Sequence, residues 1–196
     1  MRNVDQIRPL SEEPDHGHGL LGQLAHSVLA EYAGVTLPTP RLHLGQNTLP
    51  DPPFPLAAQV PFGDLSEGWR EAGEDLGAFL ELGARTLREQ PKPPVSCYTT
   101  QVRLLQMVLR FDSIALAWQP RRVGQAEGVA AWVVDRAGNA LAGVMPADST
   151  VLADGTVAGI EVSTDMLDPG DQIIPLLRAV LDAQYAWTTS VFGISP

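Results

Sequence analysis

The sequence predicts an α+β fold: N-terminal helices, then an antiparallel β-meander of about five short strands, closed by a C-terminal helix packed on the sheet. Three observations carry this. Apolar residues recur every three or four positions through much of the first half of the chain. After Asp112 the pattern shortens to β-rich runs separated by turn residues. From Ile173 the helical period returns. Runs of helix and then runs of strand point to helices laid on one face of an antiparallel sheet.

The elements follow in order. Residues 1–14 are polar and mixed in charge, and are expected to be a flexible N-terminal tail ahead of a single domain at 15–196. Leu21, Leu24, Val28 and Tyr32 lie on one face of a helix from Leu20 to Ala33, which Gly34 stops. The segment 34–64 carries prolines at 38, 40, 50, 52, 53, 55 and 61, which break regular structure. It also carries Leu37, Leu42, Leu44, Phe54, Leu56 and Val60. It is therefore expected to be an extended, Pro-rich strap over the domain or over a second subunit. "DLSE" at Asp64 to Glu67 has the form of a capping box and opens a helix to Glu89. Leu65, Trp69, Ala72, Leu76, Leu80, Gly83 and Leu87 make its apolar stripe. Gly73 and Gly83 are expected on that buried face, where another backbone approaches. "QPKPP" ends the helix, and the polar spacing of Arg103, Gln106 and Arg110 predicts another from Thr100.

"SIALAWQ", "GVAAWVV", "ALAGVM", "STVLA" and "TVAGIEVS" read as the strands. Turns are expected at Arg136 to Asn139 and at Asp154-Gly155, the latter as a type I′ hairpin. Ile114, Leu116, Trp118 and Ile160 are expected on one sheet face. Ser163, Asp165 and Asp171 are available as helix caps, and Pro175 is tolerable in the first turn of a closing helix that runs to about Trp187.

Composition narrows the function classes. The 196 residues are 44% hydrophobic with a formal net charge of −10. A real core can form, and the charge opposes non-specific nucleic-acid binding. Residues Met1 to Asp15 hold no apolar core of signal-peptide length, and no run approaches the roughly 20 apolar residues a membrane helix needs. The expectation is a cytoplasmic protein without a membrane span. Walker A, GxSxG and Cys-x-x-Cys signatures do not occur.

Few side chains suggest chemistry. His16, His18, His26 and His43 all fall in the first quarter of the chain. His16 and His18 in "DHGHG" can face the same way only on an extended chain, where side chains alternate. With Asp15, His26 or His43 they would supply three zinc ligands. The glycines that separate and follow them raise the cost of ordering such a site, so no working metal site is expected. His26 falls away from Leu21 and Leu24 on the helix and should be exposed. Cys97, the single cysteine, lies just ahead of the helix from Thr100, where the helix dipole would favour its thiolate. Ser163, Thr164, Asp165, Asp168 and Asp171 lack the spacing of a calcium loop and read as caps and turns. Trp118 beside Arg121-Arg122, together with Phe54, forms the candidate interaction set. The leading expectation is a non-enzymatic acidic protein-interaction module (regulatory, adaptor or chaperone-like), acting as a homodimer and using no cofactor. The alternative is a small metal- or thiol-dependent enzyme built on the N-terminal histidines or Cys97. A nucleic-acid accessory protein with a local arginine patch comes third.

Overall fold

The computed structural model describes residues 16–45, 60–61, 65–90, 111–120, 128–168 and 170–192. Among them the order is helix α1 (His16–Glu31), strands β1 (Arg41–Gly45) and β2 (Val60–Pro61), then helices α2 (Ser66–Glu71) and α3 (Leu76–Glu89). Strands β3 (Ser113–Trp118), β4 (Val129–Asp135), β5 (Ala140–Met145) and β6 (Glu161–Ser163) follow, then a 3₁₀ turn at Thr164–Met166 and helix α4 (Ile173–Phe192). All neighbouring strands pair antiparallel, in the order β2-β1-β3-β4-β5-β6. The α+β class, the antiparallel sheet and the C-terminal helix packed on it are those the sequence predicts. The tail at 1–14, the Asp64 cap, the helix from Thr100 and most of the strap lie outside the described residues.

Helices cover both faces of the sheet, not one. Leu21, Leu24, Ala25, Val28 and Leu29 of α1, with Tyr32 just past its end, pack on Ala115, Ala117, Ala131, Val133, Leu141 and Met145. On the opposite face Phe79 and Leu80 of α3 and Leu177, Val180 and Leu181 of α4 pack on Leu42, Leu44, Ile114, Leu116 and Val134. A strand buried on both sides has no polar face, which is why "SIALAW" and "VAAWVV" read as near-continuous apolar runs. Ile114, Leu116 and Trp118 share the α3/α4 side, but Ile160 packs in the α1 layer. The β5–β6 excursion carries it to the other side of the sheet.

The α1 face is built of small residues. A Cβ placed on Gly143 would lie 3.1 Å from Leu29 Cδ1 and 3.0 Å from the Glu161 carbonyl oxygen. One on Gly45 would lie 2.5 Å from Leu24 Cδ2. Glycine and alanine here let α1 settle close to the strands.

The strap contributes to the sheet itself. β1 starts directly after Pro40 and lies between β2 and β3, so Leu42 and Leu44 find their place in the core as strand residues. The helix expected from Asp64 to Glu89 is two helices. Gly73 N–H donates to the Arg70 carbonyl (3.1 Å) and Glu74 N–H to the Trp69 carbonyl (3.1 Å), the paired bonds of a Schellman stop. Gly73 takes φ +68° as that stop requires, and Glu74 follows at +59°. Asp75 then restarts the chain as a cap, its carboxylate accepting from Ala78 N–H at 2.8 Å. Gly73 is therefore a terminator in an exposed bend and not a contact-face glycine. Gly83 does face another element, α4 of the same chain, with Val180 Cγ2 3.9 Å from where its Cβ would be.

Both expected turns form with the same geometry. Gly138 N–H donates to the Asp135 carbonyl and Gly155 N–H to the Leu152 carbonyl, and the two glycines sit at φ +102° and +85°. A turn followed by a left-handed glycine is the three-residue hairpin with a bulge, so Asp154-Gly155 is not the type I′ turn expected. Around it the described residues show a single Val151–Val157 bridge and no strand. Ser163 caps the 3₁₀ turn, the Asp171 carboxylate accepts from Ile173 N–H at 2.8 Å, and Pro175 falls in the first turn of α4.

Candidate functional site

The α3/α4 side carries an open apolar groove of about 370 Å³. Phe79, Leu82, Gly83, Thr86 and Leu87 of α3 line it, with Leu42 of β1, Val180 of α4, and Leu65 and Gly68 at the start of α2. The Schellman stop creates this arrangement. It folds α2 back so that Gly68 lies against α3, with Phe79 Cε2 3.9 Å from where a Cβ would be. Trp69 braces Phe79 edge-on, at 5.6 Å between ring centroids and 82° between planes, which fixes the ring.

Among the described residues, the two charged ones in the lining are Glu67 and Glu71 of α2. They stand four residues apart on one helix face and both are exposed. Neither has a hydrogen-bond or ion-pair partner among the described residues, and the Arg70 beside them bonds the Ser66 carbonyl instead. Like charges at this spacing oppose helix formation by roughly 0.2–0.5 kcal/mol.

A second, smaller cavity of about 190 Å³ opens at the end of α1, between Tyr32 to Thr36, Gln119, Gly128-Val129 and Met145 to Ser149. Tyr32 Oη is 2.7 Å from His43 Nε2, and the rings meet edge to face. Burial lowers the His43 pKa to about 4, aided by Arg41, and burial with Glu31 nearby raises Tyr32 to about 12. Both groups are neutral near pH 7, so the contact is a hydrogen bond between two neutral groups. Gln119 Oε1 accepts from Leu37 N–H at 2.9 Å. Ser149 Oγ is buried without a partner. Among the described residues the lining holds no imidazole, carboxylate or thiol beside that hydroxyl, and a serine nucleophile wants a base in contact.

His26 and His43 are not brought together. His16 and His18 lie in the backbone of α1, so the extended geometry that a paired-ligand arrangement required is not the one the chain adopts there. His26 is exposed on the same helix, and His43 is fully buried in β1 against Tyr32. Among the described residues no three His, Cys, Asp or Glu side chains gather where they could hold a metal ion. Trp118 is half-buried and packs into the α3/α4 core. Cys97, Arg121, Arg122 and Phe54 lie outside the described residues. No described helix is long and apolar enough to cross a membrane.

Sequence reasoning singled out no groove residue as a site, although Leu42, Leu65, Gly83 and Leu87 were each seen as apolar. Leu82 was the missed signal. It lies off the α3 stripe that faces the core, and an extra leucine on the flank of an amphipathic helix marks a second apolar surface. Comparisons with protein-family models, curated proteins and solved structures gave no match.

Proposed function

We propose that the chain is a non-enzymatic protein-interaction module that works through the groove between α2, α3, α4 and β1. The observation that carries this is the groove itself: apolar side chains from four elements meet in an open cleft with an acidic rim. Apolar clefts rimmed by polar residues are a common form of interaction site. The test is selection of binders from a random 16-residue peptide display library on the full chain. Peptides are expected to enrich on the wild type and on a His26→Asp control, and to be lost on Leu82→Asp. Absence of enrichment, or equal binding to both variants, would count against the groove.

A second reading, that the chain acts as a homodimer, draws on Val35, Val151 and Leu152, large aliphatic side chains left exposed away from the groove. Gly83 does not add to it, because that glycine faces α4 of the same chain. Light scattering at micromolar concentration tests this reading, and a clean 21.0 kDa monomer would oppose it.

A further inference from the structure

We infer that the groove's occupant is an amphipathic helix carrying two basic residues one turn apart, presented by a different protein. This rests on the groove being an interaction site and adds the chemistry of what it takes. The first argument is charge. Among the described residues Glu67 and Glu71 are the charged ones in the lining, both are exposed, and no described group pairs with either. Four residues along a helix put them about 6 Å apart along its axis. Arginines or lysines at i and i+4 of a helix lying alongside repeat at the same spacing, so both carboxylates are met at once. Apolar residues on the adjoining face of that helix then point at Phe79, Leu82 and Leu87.

The second argument is topology. An extended ligand gains affinity by adding a strand to a free sheet edge. The strand that reaches this groove is β1, which is hydrogen-bonded on both sides, to β2 and to β3. With β2 seated on its outer side at His43 and Leu44, β1 is not a bare edge, so a ligand that satisfies its own backbone, as a helix does, fits better. The third argument concerns a second copy of this chain. With a net charge of −10 it is a poor electrostatic match for an acidic rim, and like charges brought together across an interface oppose binding.

Fluorescence polarisation of two labelled 16-residue helical peptides tests the inference. Both carry leucines at i, i+3, i+4 and i+7; one has arginine at the flanking i and i+4 positions and the other glutamate. The full chain should bind the arginine peptide more tightly, and the preference should fall with added salt. Glu67→Gln with Glu71→Gln should weaken the arginine peptide roughly 2- to 30-fold, the range expected for two rim ion pairs. Asp148→Asn with Glu161→Gln makes the same change in net charge away from the groove, and should leave the affinity within about 2-fold.

Each other outcome overturns a definite part. Equal affinities that both vanish in Leu82→Asp would keep the groove and sink the basic helix. A preference abolished equally by the two double variants would reduce the effect to overall charge and also sink it. No binding of either peptide, or binding indifferent to Leu82→Asp, would remove the groove as well. Self-association of the wild type that Leu82→Asp abolishes would assign the groove to a second copy.

Discussion

Acidification should destabilise the fold through His43. This imidazole is fully buried in β1, with Tyr32 Oη 2.7 Å from its Nε2. Its pKa is lowered from 6.5 to about 4, first by burial and then by Arg41. Between those two values the unfolded chain binds a proton that the folded chain refuses, so stability falls as pH falls. His43's contribution is complete above about pH 7, shrinks as pH drops through 6.5, and is spent near pH 4. The full difference is about 3 kcal/mol, at about 1.36 kcal/mol per tenfold change in proton affinity. By pH 5 about 2 kcal/mol of it is lost. Small domains have about 5–15 kcal/mol in total, so the effect is large enough to read. Urea denaturation at pH 7.5 and pH 5.0 measures it. His43→Gln lowers stability at both pH values but should flatten the difference between them, because glutamine does not titrate. An unchanged pH dependence in His43→Gln would refute the reasoning, as would an NMR titration of His43 with a midpoint near 6.5.

Three further outcomes are expected. Gly143→Val should cost about 1–3 kcal/mol by chemical denaturation, since its side chain would drive into Leu29 and the Glu161 carbonyl; wild-type stability would mean that α1 does not sit so close. Asp75→Ala should cost about 1 kcal/mol through loss of the α3 cap, with a drop in helical circular dichroism on mild heating; no change would show that α2 and α3 do not depend on that restart. Elemental analysis of untagged protein purified without chelator should find no stoichiometric zinc. Zinc that disappears when His16 and His18 are both changed to alanine would bring the metalloenzyme reading to the front.

Much of the architecture was legible because single residues dictate it. Gly34 ends α1 in a left-handed conformation at φ +72°, and Gly138 does the same work in the β4–β5 hairpin. Asp171 and Pro175 mark the start of α4. The break between α2 and α3 was hidden by its own regularity. Trp69, Leu76 and Leu80 are all buried on the same side of the chain before and after it, so an apolar stripe drawn across Ala72 to Asp75 looks unbroken. The signals for it were Gly73 and Asp75, a terminator and a cap two residues apart. β1 was hidden by its neighbours, since prolines on both sides outweighed the short alternation in "RLHLG". His43 compounded this, because a buried imidazole bonded to Tyr32 looks polar in sequence. The groove was the least legible feature. It is assembled by the fold from α2, α3, α4 and β1, and no one stretch of sequence carries it.

Site-specific photocrosslinking tests the central claim most directly. A benzophenone side chain is placed at position 82, inside the groove, or at position 26, exposed on α1, and the full chain is irradiated in extract of its native host. The account predicts a discrete higher-mass adduct from position 82, suppressed by excess arginine peptide, and none from position 26. An adduct that forms equally from both positions, or none from position 82, would contradict it.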